Sequence, residues 1–98
     1  MKIVQVDPVV EQEINAAIDY LNTDPPGRGD ELFQFVHEAF EFIALFPQAG
    51  GQFGTTRFRK HILKKYKYVI VYEELDDRIR VLALAHPRRR AGYWMDRI

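Results

Sequence analysis

The chain has 98 residues, 47% of them apolar and seven of them phenylalanine, which fits one small two-layer domain and favours a folded globule over a disordered chain. It contains no cysteine, so disulfides and thiolate chemistry are excluded. The formal net charge of zero conceals a split: residues 1–56 carry two cations against nine acids, and residues 57–98 carry twelve cations against five acids.

In chain order, KIVQV at 2–6 is short and β-branched and reads as a first strand. Asp7-Pro8 then supplies a capping acceptor and a first-turn proline, the start of a helix. Val10, Ile14, Ile18 and Leu21 follow at helical spacing, carrying that helix to about Asn22. TDPPGRG at 23–29 breaks it and suits a tight link to an antiparallel second helix. That helix is expected over about 30–46, with Leu32, Val36, Ala39, Ile43 and Phe46 as its core stripe. Phe35, Phe42 and Leu45 widen the apolar arc beyond what one sheet face needs, so either the helices share it or part of it awaits a partner. Pro47 stops the run, and QAGGQFG reads as a loop without an evident role.

Three strands follow: RFRKHIL at 57–63, YKYVIVYEEL at 66–75 and RIRVLALAH at 78–86, with Asp76-Asp77 as a turn. The last two are too close for a crossover and form a hairpin. Alternation places Ile79, Val81, Ala83 and Ala85 on one face and Arg80, Leu82, Leu84 and His86 on the other. Tyr66, Tyr68 and Tyr72 share a face of the central strand. The expected architecture is therefore α+β over residues 1–98: a small antiparallel sheet packed on an N-terminal helical hairpin, in the order β-α-α-β-β-β. The second sheet face remains for solvent or a ligand.

The chemistry-bearing residues concentrate in the basic half. Six of the eleven residues from Arg57 to Lys67 are Lys or Arg, among them Arg59, Lys60 and Lys64, and such a run fits a polyanion or an acidic protein as well as a solvated strand. Strand alternation sends Arg57, Arg59 and His61 one way and Lys60 the other. AHPRRRAGYW at 85–94 places His86, Arg88, Arg89, Arg90, Tyr93 and Trp94 together. His86 is a candidate base for a ribose 2′-hydroxyl, with arginines stabilising phosphate charge and Tyr93 as second proton carrier, although a phenol of pKa about 10 needs help. A lone histidine at a strand end is more often a satisfied structural group, which favours that role for His86. Tyr93 and Trp94 can stack on a base or cover the sheet edge; the need to anchor a short terminal segment favours the lid for Trp94.

No Gly-rich phosphate loop and no metal-ligand spacing among His37, His61 and His86 occurs, so neither cofactor nor metal is expected. No stretch approaches the roughly 18 apolar residues of a membrane helix, and MKIVQVDP lacks a signal-peptide core, which points to the cytoplasm and away from membranes.

RFRKHIL, YKYVIVYEE, RIRVLALAHPRR and the closing GYW, in that order after a strand and helical hairpin, resemble the RelE/ParE toxin superfamily of bacterial toxin–antitoxin modules. The resemblance implies a cytoplasmic growth inhibitor of bacteria neutralised by a cognate antitoxin, whose acidic toxin-binding part suits the basic half. One branch cuts messenger RNA in the ribosome; its catalytic roles would fall here on Arg57, Arg59 or Lys60, on Arg89 and on Tyr93, with His86 as the base suggested above. The arginine that this branch carries near the start of its third strand is replaced by Val69. The other branch, ParE, poisons DNA gyrase, and the His86-Pro87-Arg88-Arg89 pattern with Tyr93-Trp94 looks like this plasmid-stabilisation branch. The expectation is a ParE-like toxin with Arg57, Arg59, Lys60, Lys64, Arg88, Arg89, Arg90 and Trp94 as its target or nucleic-acid surface. Its alternatives are a ribosome-dependent endoribonuclease and an inactive toxin-like binding protein.

Overall fold

The computed structural model describes residues 1–98. It contains β1 (Ile3–Val6), α1 (Pro8–Leu21), α2 (Arg28–Leu45), β2 (Gly51–Gln52), β3 (Phe58–Ile62), β4 (Val69–Glu74), β5 (Arg78–Ala85) and a C-terminal 3-10 helix (Tyr93–Arg97). One sheet runs in the order β1-β5-β4-β3-β2. The α+β class and the helical hairpin agree with the sequence reading. The sheet is mixed, however: β1 lies parallel to β5, from Ile3↔Arg78 to Val6↔Val81, while the other pairs are antiparallel. The helical hairpin supplies the long connection that a parallel pairing needs.

Asp7 occupies the N-cap position of α1 but makes no side-chain cap hydrogen bond. Its carboxylate accepts instead from Gln5 at 2.8 Å and from Arg80 at 3.1 Å, tying the helix start to the sheet. The link between the helices is organised by Asn22, whose side-chain oxygen accepts from the backbone N–H of Gly27 at 3.0 Å and of Gly29 at 2.7 Å. A Cβ on Gly29 would lie 2.2 Å from the Ile18 carbonyl oxygen, so the helices meet where only glycine fits.

The main core joins Val10, Ala17 and Leu21 of α1 and Leu32, Val36, Ala39 and Ile43 of α2 to Ile70, Tyr72, Ile79, Val81 and Leu84 of the sheet. Phe46, expected in that stripe, is exposed: α2 ends at Leu45 and the backbone of Phe46 turns out of the helix. Tyr66 and Tyr68 belong to a turn, with Tyr66 and Lys67 at φ 70° and 63°, rather than to the central strand. They pack against the same core as Tyr72 nonetheless.

Strict alternation also fails in β5. Val71 pairs with Ala83 but Tyr72 with Val81, so Leu82 is an extra residue in a β-bulge. Ile79 and Val81 therefore face the helices together with Leu84, whereas Leu82 and Ala83 join Phe58, Val71 and Trp94 in a second cluster on the other face. That face, expected to be open, is partly roofed by the C-terminal segment.

The 47–52 loop has a definite place. The Tyr72 hydroxyl donates to the Pro47 carbonyl at 2.8 Å and accepts from Gly50 N–H at 3.2 Å. Arg59 donates to the carbonyls of Gln48 and Gly50 at 3.1 and 2.8 Å. These contacts hold β2 as a two-residue edge strand.

Candidate functional site

After β5 the chain turns at His86 and Arg89, then doubles back through Gly92, whose φ of 73° is left-handed, into the 3-10 helix. The turn and the sheet face enclose an open cleft of about 270 Å³. Lys60, Val69, His86, Arg89, Tyr93 and Trp94 are among its lining residues. Trp94 is 3% exposed, its indole set against Phe53 and Phe58 at centroid distances of 5.4 and 5.2 Å. It is a roof to the second cluster, with no ring face free to stack on a base.

Glu13 anchors this roof. Beyond Val81, β5 has no strand on the edge that β1 occupies before it. Side chains take the missing strand's place: Glu13 accepts from Leu84 N–H at 3.2 Å, and Arg97 donates to the Leu82 carbonyl at 2.9 Å. Arg97 also grips Glu13 bidentately, both contacts 2.9 Å, and the Tyr93 hydroxyl donates to Glu13 at 2.6 Å. The Arg89 guanidinium lies over the Tyr93 ring, 4.0 Å from its centroid, with its nearest nitrogen 3.9 Å from Glu13. The edge is thus closed against another chain, and no buried side-chain polar atom lacks a partner.

The energetics explain why a charged latch is needed. Fixing the backbone of the five-residue 3-10 helix costs roughly 5–10 kcal/mol. Burying an indole returns about 5 kcal/mol from some 200 Å² of apolar surface. The Glu13–Arg97 pair, with its side chains only 12% and 20% exposed, satisfies the Leu84 amide and the Leu82 carbonyl at this edge, and deleting either partner would cost about 3–5 kcal/mol.

The latch governs the candidate acid–base groups. Burial, and then the hydrogen bond to Glu13, pushes the Tyr93 phenol well above its ordinary pKa. Burial works to raise the Glu13 carboxyl, but hydrogen bonds from Arg97, Tyr93 and Leu84 outweigh it and hold that carboxyl below the usual carboxylate range. Tyr93 therefore keeps its proton and directs it at Glu13. Burial, then the charges of Arg88 and Lys67, hold the His86 imidazole below its ordinary pKa. Its Nδ1 accepts from Arg88 N–H at 3.2 Å, so a neutral ring carries its proton on Nε2.

His86, Arg89, Arg90, Tyr93 and Lys60 thus meet at one cleft. Arg59 does not join them: it pairs across β3 with Tyr72, on the helix side, and its guanidinium is engaged by backbone carbonyls. Arg57 departs from simple alternation. It reaches Glu73 at 2.6 Å, on the face of Lys60, because the buried carboxylate, 3% exposed, draws it there together with Arg80 at 3.9 Å. Lys60, Lys64 and Arg88 form no ion pair. Arg90 has only Asp96, at 3.7 Å between two exposed side chains. No cluster of three or more metal-ligating side chains occurs, and no helix is long and apolar enough to cross a membrane.

A second groove runs between α2 and β3. Phe35, Phe42, His61, Ile62 and Lys64 help to line it, and Phe46 extends its apolar surface at 5.2 Å from Phe42. Beside it β3 is an open edge, because β2 pairs only with Arg59 and Lys60. Sequence reasoning missed Glu13 and Arg97, the residues that fix the cleft's shape. Glu13 stands one residue before the apolar Ile14 with no motif around it, and Arg97 reads as a terminal charge; only the fold brings them together.

Residues 4–91 match the family model described as the ParE toxin of type II toxin–antitoxin system, parDE. A search of curated proteins gives no match to the chain. The match spans β1 through the basic turn after β5 and ends before Tyr93 and Trp94. The chain belongs to the ParE toxin family of type II toxin–antitoxin systems.

Proposed function

We propose that this toxin arrests growth by acting on DNA gyrase, docking through the cations around the exit of β5, with Arg88, Arg89 and Arg90 foremost and Lys60 beside them. The observation that carries this reading is the engagement of the groups that RNA cleavage would need. Tyr93 directs its proton at Glu13, Arg59 is tied to backbone carbonyls, and Val69, an apolar residue, lines the cleft at the position of the nuclease branch's arginine. Such a surface can bind a target without proton transfer at all. A direct test is inducible expression without antitoxin, followed by parallel measurement of gyrase–DNA breaks and RNA ends. Trapped gyrase breaks with intact messages support the reading.

One observation favours ribosome-dependent cleavage instead: His86, Arg89 and Tyr93 share a cleft with Lys60. On that reading Arg89→Ala or Tyr93→Phe abolishes cutting while the fold survives. Healthy cells without either signal would leave an inactive toxin-like binding protein.

Membership of a toxin–antitoxin family implies a cognate antitoxin as partner. The α2–β3 groove is our candidate for its seat, because exposed Phe42 and Phe46 adjoin an open strand edge flanked by cations. A segment carrying apolar side chains and acids complements it. Phe42→Asp is expected to abolish co-purification with the antitoxin while leaving growth inhibition intact.

A further inference from the structure

A further concavity of about 440 Å³ adjoins the sheet-face cleft, sharing His86 and Arg89 with it, and is otherwise bounded by Tyr20 near the end of α1, by Lys67 and Tyr68 before β4, and by Arg88 after β5. Three cations line it and no carboxylate does. Neither Lys67 nor Arg88 forms an ion pair; the acid nearest to Arg89 is Glu13, at 3.9 Å and held by the latch. A solvated charged face needs no concave arrangement of this kind.

Three further features give the concavity a ligand's shape. Lys67 and its neighbour Tyr66 both adopt left-handed backbone, at φ 63° and 70°, a strained conformation for two successive non-glycine residues. That turn is closed by Leu63 N–H donating to the Tyr68 carbonyl at 3.0 Å, which sets Lys67 on the wall. His86 packs edge-on against Tyr68 at 4.9 Å and accepts from Arg88 N–H at Nδ1, leaving Nε2–H as a fixed donor. Tyr20 is 67% exposed, so much of its aromatic side chain is open to a ligand.

We propose that this concavity binds a nucleoside phosphate, its phosphate held by Lys67, Arg88 and Arg89 with His86 Nε2–H, and its base laid on Tyr20. The cations supply charge and bidentate donors for the phosphate oxygens. The open concavity has room for more than a lone phosphate, and the phenol ring gives a flat base a stacking surface. The site stands whether or not gyrase is the toxin's target. The same chemistry is offered by a free nucleotide or by one unit of a single strand.

The test is a chemical-shift titration of the full chain with three probes: adenosine 5′-monophosphate, inorganic phosphate and a short single-stranded oligodeoxythymidine. Saturable shifts at Tyr20, Lys67, His86 and Arg88 with the nucleotide are expected. Inorganic phosphate should bind about tenfold or more weakly and leave Tyr20 unmoved. Lys67→Gln and Arg88→Gln, both surface changes, should each weaken binding at least about tenfold with the rest of the spectrum unchanged. Tighter binding of the mononucleotide identifies a free nucleotide as the source, and tighter binding of the oligomer identifies a strand; both support the site. No saturable shift, shifts of equal size at Lys60, Lys64 and Arg90, or variants that bind like the parent would overturn it.

Discussion

Glu13→Ala should destabilise this toxin more than any surface substitution, although nothing around Glu13 in the sequence marks it. The carboxylate accepts four hydrogen bonds, from Leu84 N–H, Tyr93 and both terminal nitrogens of Arg97. Removing it strands the Leu84 amide on an edge and leaves a mostly buried guanidinium without its counter-charge. Breaking a buried pair by deleting one partner costs about 3–5 kcal/mol. Arg97 retains the Leu82 carbonyl and is 20% exposed, so the lower end, about 3 kcal/mol, applies. For a domain of this size that corresponds to a fall in Tm of roughly 12–24 °C. Urea melts at neutral pH, read by far-UV circular dichroism and by fluorescence of the single tryptophan, measure it. Glu13→Gln keeps the shape but not the charge and should lose about half as much. The pH dependence has a fixed sign. The Glu13 carboxyl is held below its ordinary pKa, so its contribution is complete above the ordinary carboxyl range and is lost as pH falls through the depressed value. Glu13→Gln should accordingly flatten the acid limb of the stability profile. A loss below about 1 kcal/mol for Glu13→Ala would refute the latch.

Gly29→Ala should cost about 3 kcal/mol, because the new Cβ would stand 2.2 Å from the Ile18 carbonyl; a urea midpoint equal to that of the parent would contradict the close helix approach. Tyr72→Phe removes the bond to Pro47 and the acceptor of Gly50 N–H, so about 1–2 kcal/mol of stability should go. Hydrogen exchange should show the 47–52 loop opening first, and unchanged protection there would count against its tether. Tyr93→Phe should lower stability by about 1 kcal/mol yet leave growth inhibition undiminished. Loss of toxicity in that folded variant would favour nuclease chemistry.

Much of the fold was legible because its segments carry strong local signals. Val10, Leu21, Leu32, Val36, Ala39 and Ile43 sit where their helical spacing placed them, and the Asp76-Asp77 turn joins the predicted hairpin. The departures have non-local causes. The bulge at Leu82 reassigns the faces of β5, and no periodicity announces a bulge. The parallel pairing of β1 follows from the hairpin's length and packing, not from KIVQV itself. At the site, the basic character of the β5 exit was visible as a run of arginines. The commitments of individual cations are not visible there: in β3 the carbonyls of Gln48 and Gly50 engage Arg59, a contact that no local pattern displays. Trp94 was readable as a lid from its terminal position, and its partners Phe53 and Phe58 came from another loop and strand. Glu13 and Arg97 meet across 84 positions of sequence, and Lys67 owes its place to a strained backbone, neither of which single residues in a sequence display.

The measurement that bears most directly on the central claim is inducible expression of the toxin without its antitoxin, with gyrase–DNA cleavage and RNA ends read from the same cells. The account predicts growth arrest with trapped gyrase–DNA breaks and intact messages, both preserved in Tyr93→Phe. Discrete cuts in translated messages that vanish with Arg89→Ala or Tyr93→Phe, in the absence of gyrase breaks, would contradict it.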